Sequence, residues 1–445
     1  MKNALLSFFC AWCLIGCSIT NTENEFSSCQ HINQNVSLVS QLSLSDLVTD
    51  ETLVGLVNSI ESTSLDIAVA RLKVEQAVFN DRLVLNNQKI QFSSSIGYSG
   101  SKQFKNKDSS ISNNHNASLS SSYSVDLWGK NNIIRIKSSN DLYTQELTLK
   151  EARLQLITAV AKKYWNIILV NSQKGISELK IKLLEDKKRI ITAKYNNGVV
   201  VETMVTEAEN ALINEKINFE NLMVLNHSLM REMYVLSGGE TYFDIELDNF
   251  NNVYMEKFKD DFIPMSKISY RYDVSEAEYQ LCTALLDYEY SKLDFYPDIS
   301  IGAALSAGSV NLSDVIRDPV SSWGVDISLP FFNWKEKQIG LGINESKHKQ
   351  AQINFKSTVL SALTDIKNKL DNVKLQQTKI RQEEKELELA AKLLAQSKLK
   401  IEQGVIENSD LIDSKLRLLD QKESLASLTE SYLVSELEFK LSIGI

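Results

Sequence analysis

The chain has 445 residues, of which 43% are hydrophobic and 24% charged, and it contains 16 Gly but only 4 Pro. This composition excludes collagen-like, proline-rich and wholly disordered chains. The formal net charge of −9 argues against nucleic acid as a partner, because phosphate binding needs a basic face. All four prolines lie between positions 264 and 330, so very long helices are allowed on both sides of that stretch.

The N-terminus has the features of a secretory signal. A basic start is followed by the apolar run Ala4–Gly16 and then by Cys17, and such a run is too short for a bilayer span of about 20 residues. The segment Leu14–Cys17 resembles the lipobox of bacterial lipoproteins, in which the cysteine is acylated. We therefore predict a signal peptide over 1–16, lipidation of Cys17 and a lipidated segment over 17–45. The alternative is an ordinary cleaved signal that happens to contain a cysteine.

The chain repeats itself at an offset of about 205 residues. The sequence around Gly198 matches that around Gly404, and the sequence Leu236–Gly239 matches Leu441–Gly444. A constant offset of this kind predicts two tandem repeats of one structural unit. The predicted bounds are 46–240 for the first repeat, 241–262 for a linker and 263–445 for the second repeat.

Each repeat contains two segments in which apolar and polar residues alternate, the pattern of a strand with one apolar face. The predicted strands lie at about 90–104 and 117–127 in the first repeat and at about 298–308 and 322–331 in the second. The polar face is rich in serine, which suits the wet interior of a membrane barrel, although a soluble sandwich would show the same alternation. Trp128 and Trp334 stand at strand ends and are predicted as membrane-interface aromatics; the alternative is that they cap a buried core.

Long helices fill most of the remaining sequence. The stretch Lys130–Lys194 has no Pro and would measure about 95 Å as one helix. Apolar residues recur every seven positions over Val359–Ile401 and again over Leu411–Phe439. Such rows keep one face of a helix against a partner, so we predict two antiparallel coiled-coil hairpins that turn at Gly198 and Gly404.

Short motifs beside the strands resemble those of the outer membrane efflux proteins, the TolC-like channels. The closer resemblance is to their lipoprotein branch, which serves resistance-nodulation-division pumps. The motifs are Val125–Lys130, Arg271–Glu278, Phe295–Ser300 and Leu329–Phe332. A departure is Tyr272, where the family usually has Pro. The resemblance implies a mixed fold of membrane β-barrel and long α-helical coiled-coil tunnel, with two tandem repeats, four strands per chain, and a homotrimer that forms a twelve-stranded barrel.

The same resemblance implies the function. The chain would be the outer membrane channel of a tripartite efflux system, a passive duct that exports drugs and toxic compounds and is gated at its periplasmic tip. Its implied partners are two further copies of itself, a periplasmic adaptor protein, an inner-membrane pump and outer membrane lipid. No cofactor is expected, and the sequence carries no enzyme motif. The alternatives are a type I protein secretion channel and a lipid-anchored coiled-coil scaffold without a pore.

The two hairpin turns are implied as the surface that contacts the adaptor. The residues concerned are Gly198 and Val199 at the first turn and Gly404 and Val405 at the second. A glycine at a turn also has a purely structural explanation, because it adopts backbone conformations that other residues resist.

Three residues near the turns match the periplasmic gate of the family, namely Thr203, Asp410 and Asp413. The two aspartates are three residues apart and so share one helix face, and in a trimer they would form carboxylate rings that favour cations. The alternative is two solvated acids at a helix start, which the helix dipole stabilises. Met204 and Ile406 stand where family members have Asp and a basic residue, so the latch of the closed gate is left open.

Overall fold

The computed structural model describes residues 50–102, 112–243, 245, 247, 250, 268–269 and 271–443. The predicted signal peptide over 1–16, the lipidation site Cys17 and the segment over 17–45 lie outside the described residues. Most of the predicted linker over 241–262 also lies outside them.

Helices dominate the described part of the chain, and strands interrupt them in two places. The helices are α1 (Glu51–Thr63), α2 (Leu65–Asn87), α3 (Lys130–Asn196), α4 (Glu202–Leu236), α5 (Tyr272–Leu293), α6 (Trp334–Glu402) and α7 (Asn408–Ser442). The strands are β1 (Gln91–Ser101), β2 (Ser112–Val125), β3 (Asp298–Ser309) and β4 (Val320–Ser328). Short 3-10 turns lie at Leu312–Asp314 and Pro330–Asn333. None of the described helices is by itself long and apolar enough to cross a membrane, and α1 with α2, bent by 54°, passes that test as a pair on length and composition only.

From α2 in the first half and α5 in the second, the order of the described elements is the same. A helix, two strands, a helix of 67 or 69 residues and a return helix of 35 residues follow one another twice. The return helices α4 and α7 have identical lengths, and their ends differ by the same 206 positions that separate Gly198 from Gly404. The duplication read from the sequence therefore extends to the bounds of the helices.

Residues from both repeats enter each of two compact units. The first unit contains Lys73–Glu146 and Glu276–Lys356 and so holds the whole sheet. The second contains the described residues within 41–72, 147–275 and 357–445. The two repeats are therefore not two separate bodies, because each unit needs segments of both.

The sheet in the first unit has the strand order β1-β2-β3-β4, and all neighbouring strands are antiparallel. Ser93 lies opposite Ser120, Tyr123 opposite Ile301, and Ile301 opposite Val325. Within the described chain β1 and β4 each have one neighbour only. The sheet therefore ends in two open edges, whose backbone groups can pair with further strands.

The register sorts the side chains of the sheet onto two contrasting faces, because directly paired residues point to the same side. One face is apolar and carries Phe92, Ile96, Leu119, Tyr123, Val125, Ile299, Ile301, Leu305, Trp323, Val325 and Ile327. The opposite face consists mainly of serine and glycine: Ser93, Ser95, Gly97, Ser118, Ser120, Ser122, Ser124, Ser300, Gly302, Ser306, Ser322, Gly324 and Ser328. The hydroxyl oxygens of Ser93 and Ser120 are 2.6 Å apart, and those of Ser95 and Ser118 are 2.8 Å apart.

In the first unit, residues of α3 and α5 form an apolar cluster. Ile133 and Ile136 of α3 pack with Cys282, Leu285 and Leu286 of α5. Cys282 is 2% exposed, and its sulfur takes part in a disulfide bond.

The second unit contains the arms of the two helical hairpins. On α6 the predicted seven-residue row supplies the buried residues Ile366, Val373 and Ile380. On α7 two adjacent rows are buried: Tyr432 and Phe439 belong to the predicted row, and Ile412, Leu419 and Leu433 each follow a member of that row by one position. A helix that buries two rows packs against more than one neighbour, and α7 does so against α6 and α3.

Candidate functional site at the hairpin turns

Both long hairpins turn at a glycine with a positive φ angle. Gly198 has φ 74° and Gly404 has φ 70°. The N–H of Val199 donates to the carbonyl of Lys194 at 2.9 Å, and the N–H of Val405 donates to that of Lys400 at 2.8 Å. This bond across six residues is the Schellman ending of a helix, which places glycine in the left-handed conformation. Both glycines therefore have a structural reason to be there.

The valine after each glycine points into solvent. Val199 is 68% exposed and Val405 66%. Two apolar side chains thus occupy equivalent, uncovered positions at the turns for which the family resemblance implies adaptor contact. Exposure of this kind makes them available to a partner, since burying them on binding removes apolar surface from water.

Asp410 closes the first turn of α7. The backbone N–H of Glu407 donates to its carboxylate at 3.2 Å, and the Glu407 side chain accepts from the backbone N–H of Asp410. This reciprocal arrangement is a capping box, which satisfies two backbone donors that the helix itself leaves without partners. Asp410 therefore has a structural task at the helix start.

Asp413, one turn further along α7, has a different partner. Its carboxylate lies 2.5 Å from the ammonium group of Lys187 on α3. The two aspartates, which the sequence places on one helix face, thus have different partners. Asp410 caps its own helix, and Asp413 joins α7 to α3. In this arrangement the charge of Asp413 is compensated by a lysine of the same chain.

The corresponding turn of the first repeat is built differently. Its return helix α4 begins after Val201, which supplies no side-chain cap. Thr203 and Met204 lie in the first turn of α4, both exposed. Ile406, beside the second turn, is half-buried. The two turns therefore share their glycine geometry but differ in how the following helix starts.

Sequence reasoning missed the lysines that face α7. Lys180, Lys187 and Lys194 are spaced by seven residues on α3, a spacing that would have placed them on one face of a coiled coil. Lys194 pairs with Glu407, and Lys180 lies 2.7 Å from Asp420 and 2.6 Å from Glu423. Burial opposes the charge of Lys180, but its two carboxylate partners outweigh that effect and raise its pKa.

Trp128 and Trp334 lie in the first unit, where strands give way to helices. The indole N–H of Trp128 donates to the carbonyl of Pro297 at 2.9 Å, and its ring lies 4.8 Å from that of Tyr296. The ring of Trp334 meets Phe295 edge-on at 4.6 Å. Both tryptophans remain partly exposed, as an interface residue with one apolar side and one polar tip does.

The described residues contain no candidate metal site. Among them, no group of three or more His, Cys, Asp or Glu side chains is placed to hold an ion.

Three known proteins show what the chain is similar to. The toxin and drug export protein A of Aggregatibacter actinomycetemcomitans is 23% identical over 379 residues, which cover 82% of this chain and 81% of that protein. The probable outer membrane lipoprotein SilC of Salmonella typhimurium is 22% identical over 409 residues, covering 89% and 86%. The crystal structure of the Campylobacter jejuni CmeC outer membrane channel superposes with a TM-score of 0.77 at 18% identity, covering 91% of this chain and 88% of that one.

The fold class expected from the sequence is confirmed by this superposition, with four strands per chain and long helices in two tandem repeats. The sequence model of the outer membrane efflux proteins matches residues 56–223 and 267–444, one stretch in each repeat. This family consists of outer membrane efflux proteins and not of enzymes. The chain belongs to the outer membrane efflux protein family.

Proposed function

We propose that the chain is the outer membrane duct of a tripartite efflux system and that it works as a homotrimer. The observation that carries the proposal is the sheet, whose apolar face has no cover in a single chain. Phe92 is 74% exposed, Ile96 88% and Trp323 86%. A face of this kind, with serines on the other side, fits a barrel wall between lipid and a wet interior.

Three chains supply the strands that one chain lacks. Four strands cannot close into a barrel without leaving the edges of β1 and β4 open. Pairing β4 of one chain with β1 of the next removes both edges and gives twelve strands in a closed ring. The three-fold arrangement also agrees with the general preference of homo-oligomers for closed symmetry.

The aromatic residues at the strand ends set the level of the membrane in this proposal. Trp128 and Trp334 would lie at the headgroup layer, where amphipathic indole rings are favoured. Lipidation of Cys17 would add a second attachment, because acyl chains contribute about 0.8 kcal/mol per buried methylene. The relative SilC is named as a probable outer membrane lipoprotein, which supports the same assignment here.

At the other end of the hairpins, the turns would contact the adaptor and open the duct. Val199 and Val405, next to Gly198 and Gly404, are the exposed apolar residues that such a contact would bury. Thr203, Asp410 and Asp413 lie within the first turns after them. We assign these residues to the gate, with Asp413 released into the duct when its pair with Lys187 opens.

Small molecules are the proposed cargo, delivered by an inner-membrane pump. The name of the toxin and drug export protein of Aggregatibacter supports this class. The test is complementation: cells that lack the chain should accumulate a fluorescent drug, and the plasmid-borne chain should restore efflux. Restored secretion of a protein toxin with unchanged drug accumulation would favour the secretion channel, and no change in either would contradict the duct.

A further inference from the structure

The contact between α3 and α7 in the second unit has all its cations on one helix and all its anions on the other. We call this contact the α3–α7 seam. Its residues are Lys162, Lys180, Lys187 and Lys194 on α3 and Glu407, Asp413, Asp420, Glu423 and Glu438 on α7. The seam joins one hairpin to the other, since α3 belongs to the first repeat and α7 to the second.

The middle of the seam is the most shielded from water. The side chain of Lys180 is 10% exposed and reaches both Asp420 and Glu423 within 2.7 Å. An ion pair that water reaches poorly is screened less by salt than a surface pair. Leaving one of its partners alone is correspondingly costly, because the remaining charge stays partly desolvated.

The contacts inside each hairpin lack this separation of charge. Between α3 and α4, Lys188 pairs with Glu209, whereas Glu185 pairs with Lys216, so both signs occur on α3. The polar contacts between α6 and α7 include neutral ones, Ser397 with Ser414 and Asn372 with Ser435. Segregated charge is therefore a property of the seam between hairpins.

The duplicated copies do not reproduce the seam on the α3 side. At the offset of 206 residues that relates the two turns, Lys180 corresponds to Glu386 and Lys187 to Leu393. Only Lys194 has a basic counterpart, Lys400. The first and second repeats have thus diverged where α3 faces α7.

The α7 side has diverged as well. Asp420 corresponds to Asn214 on α4, and Glu423 corresponds to Ile217. The return helix of the first repeat therefore lacks the two carboxylates that hold Lys180. Asp413 and Glu438 keep acidic counterparts, Glu207 and Glu232, so the divergence on both sides of the seam centres on Lys180 and its two partners.

We propose that the α3–α7 seam decides which hairpin lies beside which. Two hairpins of common ancestry have similar shapes, so in an assembly of several chains each could settle against a copy of itself. If α6 took the place of α3, Glu386 would oppose Asp420 and Glu423. Like charges brought together suppress a wrong partner, while the matched pairs favour the right one.

The proposal rests on the proposed function in one respect only: in a homotrimer, hairpins of several chains are close enough to compete for the same contact. Its test is a cysteine cross-link across the seam in the full-length chain expressed in the outer membrane. The amide nitrogen of Gln173 lies 3.5 Å from the hydroxyl of Ser427, so the variant Q173C/S427C should cross-link within one chain. Each single-cysteine variant shows the background from the native cysteines.

Charge reversal of the seam should then reduce that cross-link. We expect K180E/K187E to lower its yield about tenfold, with more cross-links between chains. Adding the compensating changes D413K/E423K should restore the intrachain product. The matched control is K188E, one residue from Lys187 on the same helix, because Lys188 pairs with the arm that is covalently joined to α3; its yield should not change.

An unchanged yield in K180E/K187E would overturn the proposal, and so would failure of the compensating variant to restore the product. The readout is a band on a gel and needs no transport. A trimer that cross-links in a charge-dependent way but does not conduct would contradict the duct and leave the seam standing. A trimer that conducts but whose cross-link yield does not depend on the charges would contradict the seam proposal and leave the duct standing.

Discussion

Lys187 and Asp413 form an ion pair at 2.5 Å although 226 residues separate them in the sequence. The pair fastens the outgoing helix of the first hairpin to the return helix of the second. Lys187 precedes Gly198 by 11 residues and Asp413 follows Gly404 by nine, so the pair lies within about three turns of helix of both glycine turns, where the proposed gate is placed. Movement of the turns away from each other therefore has to break this pair or its neighbours.

Replacing Asp413 by Asn should loosen the gate of the proposed duct. The substitution leaves Lys187 without its carboxylate, and a pair that is half-exposed contributes up to about 1 kcal/mol, enough for a fewfold shift between closed and open forms. We expect greater uptake of a large antibiotic that the intact outer membrane excludes. The matched control is Asp420→Asn, after which Lys180 keeps Glu423; equal uptake in both variants would contradict the assignment.

A lysine on the apolar face of the sheet should prevent membrane assembly, whereas one on the serine face should not. Leu305 and Ser306 are neighbours away from the tryptophan end of β3, and they point to opposite sides. A Lys at the lipid face costs roughly 2–4 kcal/mol at the middle of the bilayer, and a Lys toward the interior is tolerated. Heat-resistant trimer in outer membrane fractions should disappear for Leu305→Lys and persist for Ser306→Lys. Loss in the second variant alone would mean that the faces are reversed.

Gly238, at the end of α4, should tolerate no side chain. Its φ is 71°, and a Cβ there would lie 2.4 Å from the carbonyl oxygen of Thr63. Gly239 is the control, since its φ is 80° but the nearest atom to an added Cβ is 3.7 Å away. Both alanine variants should lose about 1–2 kcal/mol of unfolding free energy, because alanine disfavours the left-handed backbone conformation. Gly238→Ala should lose about 1–3 kcal/mol more, because its Cβ clashes with the carbonyl of Thr63. Thermal unfolding of the purified protein measures the difference, which would be absent if the turn could shift.

Arg271 should be irreplaceable by Lys. Its guanidinium donates to Asp273 at 2.9 and 3.0 Å, to Asp365 at 3.0 Å and to the carbonyl of Ser442 at 2.9 Å. An ammonium group cannot reproduce that fork, so Arg271→Lys should lose about 2 kcal/mol of unfolding free energy. The control Arg189→Lys changes an exposed pair within one helix and should stay within about 0.5 kcal/mol.

The same site gives a pH dependence with a definite sign. Burial would raise the pKa of Asp273, but the hydrogen bonds from Arg271 outweigh it and hold that pKa below the ordinary value. A carboxyl group whose pKa is lower in the folded state stabilises the fold fully at pH values above its unfolded-state pKa of about 3.9. This stabilisation is lost as the pH falls through the folded-state pKa. The wild type should therefore lose more stability than Arg271→Lys between pH 5 and the acid limit. Parallel curves would contradict this role of Arg271.

The sequence predicted the regular parts of the molecule well because their signals are periodic. Alternation in β4 placed Trp323, Val325 and Ile327 on one face, and the strand register agrees. At the start of β2 the prediction was shorter than the strand, which begins at Ser112. Asn113 and Asn114 have no apolar alternation, and it is pairing with β1 that makes them extended.

The partners of the acidic residues near the turns were not predictable in the same way. Spacing alone placed Asp410 and Asp413 on one helix face, yet the first serves its own helix end and the second a lysine of another helix. Which lysine that is depends on how α3 and α7 are set side by side, a relationship that no local pattern contains. The seven-residue spacing of Lys180, Lys187 and Lys194 was the one signal that could have revealed it.

Single-channel recording in a planar lipid bilayer tests the proposed duct most directly. The purified, heat-resistant assembly should insert and give discrete conductance steps, and a mass measurement on the same sample should give three times the chain mass. Neutralising Asp413 should lower the preference for cations in the open state. A stable assembly of three chains that inserts into the bilayer and passes no current would contradict the account.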